Sequence, residues 1–216
     1  MTLLQQLSAF GCVGACAVVV SMEWGWGTPS QRAVGKGLAS LAMVVFALVS
    51  GASASVAGIL ICMGLVLSGV GDVLLAQGDA GFVKGLGAFL LAHVFYTTSF
   101  VWSGIGWAGV GFAAGIVAPI ALVVWRRYSL VAGPLRRPVA AYLLVISCML
   151  MAAVGACWLT PNSSRQLLVV SVVGFGVSDL FVAQDRLVER KRINVLVGLP
   201  LYYVSQLGIG LAAVGL

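Results

Sequence analysis

SVAGILICMGLVLSGVGDVLLAQ, residues 55–77, decides the architecture. At 1.5 Å per residue a helix of this length crosses a hydrocarbon core of ~30 Å. It carries one charged side chain, Asp72, close to its end. Seven more apolar runs flank it, at about 5–22, 34–50, 82–103, 107–125, 138–159, 165–183 and 193–215. Charged or turn-forming stretches separate them, clearest at Glu23–Ser30, Arg126–Pro138, Thr160–Arg165 and Gln184–Arg192. Shorter Gly/Ser breaks stand at Gly51–Ser53 and Ser103–Gly106. The pattern predicts an all-α polytopic membrane bundle of eight transmembrane helices.

Composition agrees. Of 216 residues, 61% are hydrophobic and 8% charged, against roughly a quarter charged in soluble domains, and mean hydropathy is +1.10. A water-soluble globule of this size is excluded. The basic surplus, 12 Lys and Arg against 6 Asp and Glu, is not interleaved with aromatics, so nucleic acid is excluded as a partner. Cys12, Cys16, Cys62, Cys148 and Cys157 lie inside apolar runs without CxxC or Cys/His spacing, which argues against a zinc site or disulfide framework. No cofactor and no metal is expected. No Lys or Arg precedes the first run, so residues 1–22 read as a spanning helix and not a cleavable signal.

Charge orients the bundle. Eleven basic residues (Arg32, Lys36, Lys84, Arg126, Arg127, Arg136, Arg137, Arg186, Arg190, Lys191 and Arg192) fall at the odd-numbered loops, and Arg165 alone at the even ones. Positive charge accumulates on the cytoplasmic side, which places both termini on the non-cytoplasmic side of a cell (inner) membrane.

Residues 69–77, GVGDVLLAQ, return as GVSDLFVAQ at 176–184, with five identities in nine at an offset of 107. The same offset aligns Tyr96 with Tyr203. Asp and Gln are rare in this chain, so their coincidence points to two parallel four-helix repeats, 1–106 and 107–216, within a single integral membrane domain, 1–216. The repeat would set Asp72 and Asp179 at equivalent depths, ~6–8 Å from the cytoplasmic ends of their helices. An ionisable group in a span normally faces the bundle interior or a wet cavity. Lys36, Tyr142 and Asn194 gather at the same level, whereas Asp79 and Asp185 read as solvated charges at or beyond helix ends. Lys36 would either snorkel to the interface or neutralise an aspartate or a lipid phosphate. His93, the one histidine, serves equally well as hydrogen-bonded packing or as chemistry.

Gly85, Phe89, His93 and Tyr96 share one helical face, as do Leu199, Tyr203, Gln206 and Gly210, with Pro200 expected to bend the last span. These two faces would line a tunnel, polar at its cytoplasmic mouth and apolar deeper in. Such a tunnel suits an amphiphile with one chain.

Several of these residues carry a family resemblance. Gly71–Asp72 with Leu75, the Phe82–Gly85–Phe89–His93–Tyr96 series, Tyr142 with Met149, Ser178–Asp179, and Leu201–Tyr202–Tyr203 with Gln206 are similar to the YhhN family. Gly37 departs from it, standing where members often have proline. Characterised members are lysoplasmalogenases, which hydrolyse the vinyl ether of 1-alkenyl lysophospholipids to a fatty aldehyde and a glycerophospho-alcohol. The resemblance therefore implies a lysophospholipid substrate among membrane lipids. A vinyl ether cleaves by protonation at its β-carbon, and two nearby carboxylates in a low dielectric suit that step. On this reading Asp72 and Asp179 are catalytic, and Lys36, His93, Tyr96, Tyr142, Tyr203 and Gln206 bind substrate. Paired intramembrane acids also suit a small proton-coupled lipid or solute transporter.

Overall fold

The computed structural model describes residues 3–23 and 27–216; part of the break assigned to Glu23–Ser30 lies outside these. Among the described residues, eight helices long and apolar enough to cross a membrane follow one another: α1 (Leu3–Ser21), α2 (Pro29–Val49), α3 (Val56–Leu75), α4 (Asp79–Trp102), α5 (Trp107–Ser129), α6 (Arg136–Leu159), α7 (Ser163–Leu187) and α8 (Arg192–Ala212). There is no strand among the described residues. In hydrocarbon a helix satisfies its backbone internally, which is why eight hydropathic runs become eight helices.

Local chemistry sets the ends. Thr28 and Gln31 form a capping box with Pro29 in the first turn, so α2 begins about a turn before the apolar run. Lys36 therefore sits within α2 and not at its mouth. Ser55 caps α3, and Asn162 accepts from the Arg165 N–H to cap α7. Gly51 and Gly78 take positive φ in the turns on either side of α3.

A further difference from the sequence reading is α7, which runs on to Leu187 instead of stopping at residue 183. Its last turns are polar but partnered. Gln184 accepts from the Tyr128 hydroxyl, Asp185 accepts from Asn194 Nδ2 at 3.3 Å, and Arg186 donates to the Leu75 carbonyl while lying over the Phe82 ring. Asp185 is thus a half-buried helical residue, which corrects its assignment as a solvated loop charge. Asp79, at the start of α4, is solvated as expected and reaches Arg186 at 3.7 Å.

Helices α2, α3, α4, α6, α7 and α8 form a closed ring of neighbours, with α1 against α2 and α8 and α5 against α6. The main pairings recur on a shift of four helices: α1–α2 with α5–α6, α3–α4 with α7–α8, α2–α3 with α6–α7, and α4–α6 with α8–α2. We propose that this pattern reflects the two repeat halves, 1–106 and 107–216. The α3–α4 seam depends on small residues. A Cβ at Gly71 would stand 2.6 Å from the Phe89 ring, and one at Gly64 would overlap the Tyr96 ring.

At the core of the ring, the Tyr96 hydroxyl donates to Gln206 Oε1 at 2.8 Å, and Gln206 Nε2 donates to Ser68 Oγ at 3.0 Å. All three residues are buried. At the end of the bundle remote from the arginine-rich loops, buried Arg165 donates to the carbonyls of Ser103 and Ala156. These lie at the C-terminal ends of α4 and α6, where the Ser103 carbonyl is past the last helical turn and the Ala156 carbonyl accepts besides from the Thr160 N–H.

Candidate functional site

At the arginine-rich end a cavity of about 450 Å³ enters the bundle. Lys36, Asp72, Tyr142 and Asp179 line it, together with Glu23, Asp185, Arg186, Arg190, Asn194 and Tyr202. Its size is that of a site for a small organic ligand.

The two repeat aspartates enter it with different neighbours. Asp72 Oδ2 accepts from Ser40 Oγ at 2.6 Å and from the Tyr202 hydroxyl at 2.8 Å, and the residue is buried. Ser40 is one helical turn beyond Lys36, so α2 offers a cation and a hydroxyl on one face. Asp179 Oδ2 accepts from the Tyr142 hydroxyl at 3.0 Å, and its side chain retains 14% exposure. His93 Nε2 lies 3.2 Å from the same oxygen, though misaligned for N–H donation. The other ring nitrogen, Nδ1, is 2.6 Å from the Phe89 carbonyl. A carbonyl only accepts, so Nδ1 carries the proton and donates it to Phe89, leaving Nε2 facing Asp179.

The acids share no hydrogen-bond partner among the described residues. Between their clusters lies Phe175, stacked on His93 with ring centres 4.7 Å apart and touching Tyr202 at 5.6 Å. Asp72 is three residues from the end of α3, about 4.5 Å, while Asp179 is eight residues from the end of α7, about 12 Å, because α7 runs a turn further than the sequence predicts.

Lys36 Nζ pairs with Glu23 at 3.5 Å, and Glu23 also meets Arg32 at 3.2 Å and Arg190 at 3.4 Å. One half-buried carboxylate thereby ties the end of α1 and α2 to the α7–α8 loop at the cavity mouth. Lys36, Arg186 and Arg190 give the mouth three cations.

The remaining expected site residues stand behind the cavity wall. His93 reaches the cavity only through Asp179 and Tyr142, against whose ring its own packs at 5.1 Å. Tyr96 and Gln206 are bonded to each other in the core, and Tyr203 is buried with no hydrogen-bond partner for its hydroxyl among the described residues. The tunnel expected between α4 and α8 is bridged where the Tyr96 hydroxyl donates to Gln206, and the cavity lies elsewhere with neither residue on its wall.

Glu23 and Ser40 were not singled out as site residues, and Tyr202 entered only through the family resemblance. Ser40 had a legible signal, its i+4 spacing from Lys36; Glu23 had none.

Eight membrane-crossing helices around a cavity charged at one end define a polytopic integral membrane protein. Residues 31–213 match the model of the YhhN family, and the chain belongs to that family. Comparison with curated proteins and with solved structures finds no match.

Proposed function

We propose that the protein is a lysoplasmalogenase-type hydrolase that cleaves the vinyl ether of 1-alkenyl lysophospholipids. The observation that carries this reading is the pairing of Asp179 with His93 and Tyr142 on the wall of a cavity whose mouth holds Lys36, Arg186 and Arg190 among carboxylates. The family match supports the reaction class.

The Asp179–His93 pair holds one shareable proton and delivers it from the carboxyl to the β-carbon of the vinyl ether. The C=C electron pair forms the new C–H bond, leaving an oxocarbenium ion between the α-carbon and the ether oxygen. Water adds to the α-carbon and returns a proton to the Asp179–His93 pair. The resulting hemiacetal breaks its C–O bond to the glycerol, giving aldehyde and alcohol with one water consumed. General acid catalysis of this kind contributes about 10²–10⁴-fold. Asp72, held by Ser40 and Tyr202 hydroxyls, is the fixed negative charge that favours the cation. Lys36, Arg186 and Arg190, each paired with a carboxylate, take the phosphodiester by exchanging those partners. By the positive-inside rule this mouth faces the cytoplasm, and both termini lie on the other side of the cell membrane.

The test is aldehyde release from 1-alkenyl-lysophosphatidylethanolamine by purified protein in detergent. Wild type should release aldehyde and Asp179→Asn should not. A folded wild type that releases none would reject the hydrolase and direct attention to proton-coupled transport in sealed liposomes.

A further inference from the structure

The cavity changes character along its length. Its mouth is charged, but beyond the Asp179–Tyr142 pair its walls are aliphatic: Ile116 and Ile120 from α5, Ile146 and Leu150 from α6, Val173 and Gly176 from α7. Leu150 is eight residues along α6 from Tyr142, so this part continues for about 12 Å past the acid. One side of it is open. α5 packs extensively on α6 alone, and only 11% of its span is buried. Across the gap, Ile116, Ile120, Val173 and Val177 keep 40–55% of their surface uncovered. A seam between α5 and α7 therefore connects the cavity sideways to the hydrocarbon of the bilayer.

We propose that this seam is a lateral entrance, that the α5–α6–α7 groove holds the hydrocarbon chain of a single-chain lipid, and that Gly176 sets the length accepted. The occupant follows from the polarity gradient. An amphiphile with its anionic head at Lys36, Arg186 and Arg190 and its reacting bond beside Asp179 has its chain directed along this groove. Gly176 lies one helical turn before Asp179, on the path of the chain. A Cβ there would meet Ile146 and Leu150 at 3.7 and 3.8 Å, ordinary contact, so a side chain is accommodated only by filling the groove. The identity of the head and reacting bond rests on the functional reading above; the groove and its opening do not.

Two measurements test it. In the first, kcat/KM is compared for dodecenyl and octadecenyl substrates. Gly176→Leu, and independently Ile120→Trp on the opposite wall, should lower the octadecenyl-to-dodecenyl ratio by about tenfold, and Leu150→Ala should raise it. Aldehyde release with the ratio unchanged in all three variants would overturn the groove while leaving the hydrolase standing. In the second, which needs no turnover, a lysophospholipid with a diazirine near the end of its chain is photolysed with the wild-type protein in detergent. Labelling should fall on peptides spanning 116–120 and 173–177 and disappear when unlabelled lysophospholipid competes. Labelling spread over the apolar surface and indifferent to competitor would overturn the groove whether or not the protein is a hydrolase.

Discussion

The segments GVGDVLLAQ and GVSDLFVAQ are nearly the same text placed in different surroundings. In the first, Gly71 admits the Phe89 ring against α3, and Asp72 is enclosed between two hydroxyl donors. In the second, Ser178 turns its hydroxyl onto the Phe175 carbonyl, and Asp179 meets a phenol and an imidazole at a partly open wall. An aspartate held by two hydroxyls meets only neutral donors. One beside an imidazole has a second base through which a proton can come and go. The difference teaches that a repeated motif need not repeat a setting, since the setting is made by what the neighbouring helices present.

The sharpest way to break this comparison is to neutralise each acid in turn. Asp179→Asn should reduce aldehyde release by about 10³-fold, and Asp72→Asn by about 10²-fold, the range for loss of one fixed electrostatic contact. Equal losses, with no further loss in the double variant, would mean that the acids act as a single unit despite their separate partners. A smaller effect separates the partners themselves. His93→Gln should cost about 10²-fold and flatten the pH–rate profile, whereas Ser40→Ala should cost about tenfold or less, the value of one hydrogen bond to a charge, with the profile unchanged. Flattening in Ser40→Ala instead would transfer the proton-handling role to Asp72.

The smallest effect on turnover is expected far from both acids. Arg165→Met removes the donors that tie α4 and α6 to α7, and should destabilise the protein by about 2 kcal/mol, read as a lower thermal midpoint in detergent. Turnover per folded molecule should stay at the wild-type level. A drop in kcat would show that the remote end of the bundle communicates with the cavity.

The helices were legible because the bilayer imposes one demand on each span separately, a sufficient run of apolar residues, and that demand is written locally. Asp72 and Asp179 were legible for a related reason: charge in such a run is costly enough to need an explanation. Polar turns at helix ends were harder to read. Gln184–Arg186 look like a loop until Tyr128, Asn194 and the Leu75 carbonyl are placed around them.

By itself, then, the sequence determined the class, the number of crossings, the charged end and the two acids. Tertiary structure alone decided that Tyr96 and Gln206 satisfy each other in the core, that Glu23 holds Lys36, and that the apolar cavity lies among α5, α6 and α7 instead of between α4 and α8. Hydropathy and rarity are properties of single residues. Whether a polar side chain faces a partner or a cavity depends on a helix that can lie more than a hundred residues away.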